Sequence, residues 1–327
     1  MGEILEARRK NSSDRLERLR QELRDAEELA CSNACVYLTG SFARGEASEH
    51  SDLDLFIVGR GTQEQRKLRR LDEICIKAKL IEKTREQKFP EFSGDGEYLV
   101  HHTTDELTGT LGKPQDDASN TFTARLLLLL ESRFLLCEAV YKDIIDDVVN
   151  AYWRDYDDHK TEFMPAFLAN DILRLWRTFC INYEARTQTD PAEKKAKRKL
   201  KNYKLKHSRL LTCYSGLLFL LYLYNKKNTV KPSDVCEMVK LSPTQRLEWL
   251  KSDSDDASTK KHATEVLQFY ERFLKDTDKS EAQLVNEFLD GEKARTYRHN
   301  ADELGRKVYD LMTAVGGNSK FYRLLVV

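Results

Sequence analysis

The chain has 327 residues, of which 33% are charged and 40% hydrophobic, with few glycines and prolines. That length accommodates two domains of ordinary size, and the composition is that of a helix-rich globular protein. Lys plus Arg and Asp plus Glu both number 54, so the molecule as a whole has no pull toward nucleic acid or a membrane surface, and any such pull must come from a local patch.

The opening MGEILEARRK lacks the apolar core of a signal peptide. Asn11 to Leu29 carries Leu, Arg and Glu at helical spacing and predicts a first helix, with Asn11–Ser13 as its cap. Ala34–Thr39 predicts a strand ending at Gly40. Asp52–Val58 predicts a second strand, stopped by Gly59. A charged helix is expected over Glu64–Glu82. After the turn Gly94-Asp95-Gly96, Glu97–His102 predicts a third strand. The sheet is expected to close by His102, with a loop to Asp117. From Ala118 onward the pattern predicts helices alone: 118–139, 142–153, 163–185, 199–224, 232–239, 243–251, 259–275, 281–289 and 301–315. The apolar stretches Leu126–Leu130 and Leu217–Tyr224 are too short to span a bilayer and read as core, so no membrane role is expected. The seven cysteines are scattered without a CxxC pair, and Cys31 and Cys35 have no partner pair, which points to reduced thiols and a cytoplasmic setting. The expected architecture is α+β: a small mixed-sheet head over residues 1–117 and an all-helical domain over 118–327.

Thr39 to Val58 reads TGSFARGEASEHSDLDLFIV. In an extended strand, alternate residues share a face, so Asp52 and Asp54 project together while Leu53, Leu55 and Ile57 face the other way. Two carboxylates side by side repel each other, and a divalent cation between them offsets that cost. Mg²⁺ takes carboxylate and phosphate oxygens together. Gly40 lets a backbone approach a phosphate closely, a short helix over Phe42–Ala47 offers free N–H groups, and Ser41 offers a hydroxyl. Arg44 adds a nearby positive charge. An anion cradle joined to a metal-binding pair suits phosphoryl-type transfer.

This combination resembles the signature of the DNA polymerase beta-type nucleotidyltransferase superfamily. The resemblance implies that Gly40 and Ser41 bind the triphosphate of an NTP and that Asp52 and Asp54 bind Mg²⁺ or Mn²⁺. It also implies a third acid on a later strand that helps activate the attacking hydroxyl. Glu97, in GEYLVHH, is the first candidate for that metal-binding and catalytic acid, and Asp95 is the second. A glutamate there departs from the commoner aspartate. The stretch His102-Thr103-Thr104-Asp105-Glu106-Leu107, then Asp117 and FTARLLLLLESRFLL, is similar to uridylyltransferases that modify the PII nitrogen-signalling protein, and to stand-alone nucleotidyltransferases related to them. It implies that Arg125, Glu131 and Arg133 lie beside the sheet. The likeness covers about Tyr37 to Leu136, and the chain lacks an HD-type hydrolase motif and room for paired ACT modules.

Lys194 to Arg209, KKAKRKLKNYKLKHSR, holds nine Lys or Arg and no acid. Lone charge runs are usually solvated faces. Its final part resembles the segment of such helical bodies that contacts the triphosphate, which implies nucleotide-binding roles for Lys204, Lys206, Ser208 and Arg209. The alternative is a nucleic-acid backbone, although Tyr203 is the one aromatic interleaved. Asp171, Arg174 and Arg177 share a helix face, with Tyr183 further along; they read either as a surface ion pair or as a cleft wall. His207 and His299 read as surface or satisfied polar residues, and residues 228–327 show no chemical signature. The expectation is a Mg²⁺-dependent nucleotidyltransferase acting on a hydroxyl, with a protein as preferred acceptor. RNA such as a tRNA end, or a small molecule in a toxin or antiphage role, is the alternative, and a non-catalytic nucleotide-binding module is the rival. The sequence leaves the oligomeric state open.

Overall fold

The computed structural model describes residues 2–92, 96, 99–184 and 191–326, without the side chains of 182–184. Packing divides the chain into two compact units: Leu5–Asp155 with Pro232–Ser242, and Tyr156–Lys231 with Pro243–Val327 and the first four residues. The boundary expected at 117/118 lies inside the first unit.

That unit is the α+β head. Helices α1 (Glu3–Glu22) and α2 (Arg24–Ala30) lead into β1 (Ala34–Thr39), the short α3 (Gly40–Arg44), β2 (Asp54–Gly59) and α4 (Arg70–Glu86). Then follow β3 (His101–Thr103), α5 (Thr104–Gly109), α6 (Gln115–Ala118), α7 (Thr121–Glu131), β4 (Arg133–Leu136) and α8 (Glu138–Tyr152). The sheet order is β3-β2-β1-β4. β2 and β4 run antiparallel to β1, while β3 runs parallel to β2, as a crossover through α4 requires.

The sheet does not close at β3. The run expected to be one helix over 118–139 breaks at Ser132, whose backbone is extended, and β4 pairs with β1 through Leu38↔Arg133 and Tyr37↔Phe134. A continuous apolar run such as LLLLLESRFLL does not by itself distinguish a buried helix from a buried strand. Because β4 completes the sheet, α7 and α8 belong to the head. Both pack on β1, where Tyr37 is fully buried, stacks on Phe56 at 5.4 Å and donates from its hydroxyl to the Ala124 carbonyl at 3.1 Å.

The segment expected as a loop up to Asp117 is also helical. Thr103 caps α5 in a capping box with Glu106. Farther on, Arg125 of α7 is fully buried and donates to Asp116 Oδ1 at 2.8 Å, the Leu107 carbonyl at 3.0 Å and the Tyr152 hydroxyl at 3.0 Å. One guanidinium therefore joins α5, α6, α7 and α8.

The second unit is helical throughout its described residues. It comprises α9 (Ala166–Glu184), α10 (Ala192–Lys204), a π-helical turn (Leu205–Arg209) and α11 (Leu210–Lys227), after which α12 (Pro232–Lys240) returns to the head. The rest is α13 (Pro243–Asp253), α14 (Ala257–Asp276), α15 (Glu281–Leu289), α16 (Gly291–Gly316) and α17 (Lys320–Val326). The apolar α11 is its axis and packs against α9, α13 and α16. No helix among the described residues is long and apolar enough to cross a membrane, and all seven cysteines are free.

Removing Arg125 would leave Asp116 buried without its cation, a change that typically costs roughly 3–5 kcal/mol. Burial tends to raise the Asp116 carboxyl, but Arg125, Thr121 and Thr110 outweigh it and hold it below the ordinary 3.8. A depressed carboxylate contributes stability above its unfolded pKa and loses it as pH falls through the folded value. Denaturant unfolding should show Arg125→Ala destabilised by roughly that amount near pH 7, with the gap to wild type shrinking below pH 3.8.

Candidate functional site

The register of β1 against β2 builds the site. Thr39, the last residue of β1, pairs with Asp54, the first residue of β2. Gly40 therefore turns away beside Asp54. Its φ is +70°, and a Cβ placed there would lie 2.2 Å from Asp54 Oδ2. Both facts require glycine: the left-handed backbone penalises a side chain, and the carboxylate occupies the space.

Asp52 precedes the strand, because β1 has already turned into α3 and offers it no partner. Burial still alternates as expected, with Asp52 and Asp54 half-buried and Leu53 and Leu55 buried. Ser41 is half-buried as well, and its hydroxyl makes no hydrogen bond among the described residues. The short helix lies over 40–44, two residues earlier than expected at its start.

Arg44 differs most from expectation. It is buried, and its guanidinium donates from Nε to Glu46 Oε2 at 2.8 Å and from Nη1 to Glu131 Oε2 at 2.9 Å. The other oxygen of Glu131 accepts the Gly40 N–H at 3.0 Å. Arg44 thus braces the turn from within, and two carboxylates neutralise its charge. The sequence places Glu131 beside the sheet but does not reveal this link. Its available signal is a lone acid inside LLLLLESRF, since a buried carboxylate demands donors.

Helix α1 secures the loop from the turn to Asp52. Arg8 Nη1 donates to the Glu46 carbonyl at 2.9 Å, the Ala47 amide donates to Ser12 Oγ at 3.2 Å, and Arg15 Nη1 donates to the Ser48 carbonyl at 3.3 Å. Arg15 also lies 4.9 Å over the ring of Phe42.

The candidates for the third acid, Glu97 and Asp95, fall outside the described residues. Strand β3 is His101-His102-Thr103, with Leu99 and Val100 outside it, so it begins later than the expected Glu97–His102 and contains no carboxylate. His102 is buried and tilted against Phe56 at 6.2 Å, and burial lowers its pKa. The neutral ring is therefore part of the core.

The basic candidates belong to the helical unit. Lys204 is exposed at the end of α10, and Lys206 Nζ is 3.5 Å from Asp302 Oδ1. Ser208 is half-buried, and the Arg209 guanidinium lies 5.4 Å over the Phe179 ring. His207, in the same π-helical turn, is buried and donates from Nδ1 to the Tyr203 carbonyl at 2.8 Å; burial pushes its pKa down to about 4. Asp171 is buried with Arg174 3.8 Å away, whereas Arg177 is exposed. The side chain of Tyr183 is outside the described residues.

The donor set of the head fits a divalent cation. Asp54 stands beside a bare Cα that leaves its carboxylate room, Asp52 lies two residues before it and is half-buried as well, and the turn's own arginine is already neutralised. Among the described residues no group of three His, Cys, Asp or Glu converges to form a closed metal cage. One or two carboxylates, completed by phosphate oxygens and water, is how Mg²⁺ is usually held.

A family model described as a nucleotidyltransferase domain matches residues 16–91. The match contains the glycine–serine turn and both aspartates, and it ends before β3. No curated protein and no solved structure gives a match to the chain. The matched domain supports the nucleotidyltransferase superfamily for the head and a nucleotidyltransferase activity for the chain, with an NTP as substrate and, typically for such domains, a divalent metal.

Gly40→Ala should therefore damage the site more than the fold. Strain at the turn should lower stability by about 1–3 kcal/mol. Displacement of the Asp54 carboxylate should lower kcat/KM by on the order of 10²-fold. Thermal unfolding and steady-state turnover, measured on the same preparation, check both.

Proposed function

We propose that the chain is a Mg²⁺-dependent nucleotidyltransferase that moves an NMP unit from an NTP to a hydroxyl acceptor on a protein. The observation that carries this reading is the Asp54 carboxylate set against the bare Cα of Gly40, at the start of a strand that also follows Asp52. The family-model match over the same residues supports the reaction class.

In this reading Asp52 and Asp54 hold the divalent ion. When bound, the ion neutralises charge on the reacting phosphates and favours attack by the acceptor oxygen. Ser41 donates its hydroxyl to a phosphate oxygen, and the turn holds that oxygen in place. Glu97 accepts or positions the proton of the attacking hydroxyl, with Asp95 as the alternative. Lys204, Lys206, Ser208 and Arg209 supply the contacts that offset charge on the leaving pyrophosphate. Mn²⁺ serves as a substitute for Mg²⁺. The protein acceptor rests on the resemblance of the sequence over residues 102–136 to the PII-modifying uridylyltransferases, with RNA or a small molecule as the alternative acceptor.

Incubating the protein with α-labelled NTPs, Mg²⁺ and separated protein and RNA fractions tests both levels. Label should enter protein. The double variant Asp52→Ala, Asp54→Ala should lose roughly 10³-fold or more in NTP turnover, since a catalytic metal supplies several kcal/mol, while its circular dichroism stays native. Unchanged turnover in that variant would contradict the reaction class. Label confined to RNA would contradict the acceptor. Nucleotide binding without pyrophosphate release under every acceptor condition would favour a non-catalytic module.

A further inference from the structure

We propose that Glu131 is the positioning residue of the glycine–serine turn, and that the turn therefore addresses phosphate through Ser41 and not through the Gly40 amide. This rests on the nucleotidyltransferase reading. Glu131 ends a helix whose last ten residues carry just one exception to full burial, Thr123, and its own side chain has no exposure. A carboxylate in such a place is costly unless donors satisfy it. Both oxygens have one: Oε1 takes the Gly40 N–H at 3.0 Å, and Oε2 takes Arg44 Nη1 at 2.9 Å.

Two consequences follow. The first is chemical. An N–H already given to a buried carboxylate is not offered to an incoming anion, whereas the half-buried Ser41 hydroxyl, unbonded among the described residues, remains a side-chain donor at the turn. The second is mechanical. Glu131 lies 91 residues from Gly40 in sequence and is the last residue before the Ser132–Arg133 step into β4. Its two hydrogen bonds fix the first and last residues of α3 to the end of α7, so the turn is formed before substrate arrives. A preformed turn lowers the ordering cost of binding, which appears in affinity for the nucleotide.

The test uses the full-length chain with Glu131→Gln and Glu131→Ala. Gln keeps an acceptor for the Gly40 amide but sets an NH₂ against Arg44, whereas Ala removes both bonds. Hydrogen exchange at the Gly40 amide is read against the strand amides of Val36 and Ile57, and the KM for Mg–NTP is read against kcat. In Glu131→Ala, Gly40 exchange should rise on the order of 10-fold, the size of one lost buried hydrogen bond, with Val36 and Ile57 unchanged. KM should rise by a similar factor, more than kcat falls, and Glu131→Gln should lie between. Unchanged Gly40 exchange in Glu131→Ala would overturn the proposal, as would an equal rise at Gly40, Val36 and Ile57 in both variants. A wild-type chain that turns over no NTP overturns the functional reading alone, because the exchange measurement reports on Glu131 without turnover.

Discussion

The head depends on one pairing, Thr39 with Asp54 at the open end of the β1–β2 ladder. It ends one strand and begins the other at the same level, so the chain must leave β1 directly beside a carboxylate. Only a residue without a Cβ fits that exit at φ +70° with Asp54 Oδ2 where the side chain would be. The glycine, the adjacent serine and the strand-borne aspartate are thus parts of one steric solution. Moving the register by one residue would turn Asp54 to the opposite face and dissolve it.

Around that pairing the charges follow a consistent logic. Arg44 sits between Glu46 and Glu131 and adds no net positive charge to the turn. Asp52 and Asp54 add two carboxylates close together in sequence, an arrangement suited to a divalent cation carrying a polyphosphate. The buried polar links are concentrated on both sides of this region. Helix α1 holds the loop through Arg8, Ser12 and Arg15, and Arg125 with Asp116 locks the helices that support β4. Rigid support of this kind is what keeps a catalytic constellation within the narrow tolerance that chemistry needs.

The motif was legible because several local signals coincide in TGSFARGEASEHSDLDLFIV. The strand Ala34–Thr39 appears with its expected bounds, and so does the helix Glu281–Leu289, which Ser280 and Gln283 cap. What local pattern did not reveal was long-range. β4 hides in an apolar run whose strand character exists only because β1 has a free edge to pair with. The head therefore extends to Asp155 and recruits Pro232–Ser242, far beyond the expected limit at 117. Arg44 reads as an outward cation until Glu131 is brought to it from 87 residues away. Asp52, the first member of the aspartate pair, lies outside β2, because the partner strand has already ended. The basic run shows the reverse case: its abundance of charge was plain, but its π-helical turn and the buried His207 within it depend on packing against Phe273.

The central claim is that Asp52 and Asp54 jointly hold a divalent ion that carries the triphosphate past Ser41. A crystal structure with Mn²⁺ and a non-hydrolysable NTP, the ion identified by its anomalous signal, tests it most directly. The account predicts an ion within about 2.0–2.2 Å of an oxygen from each aspartate, bridged to phosphate oxygens, with the Ser41 hydroxyl on a phosphate and the Gly40 amide still on Glu131. An ion or nucleotide bound without either aspartate, or a Gly40 amide turned from Glu131 to the phosphate, would contradict it.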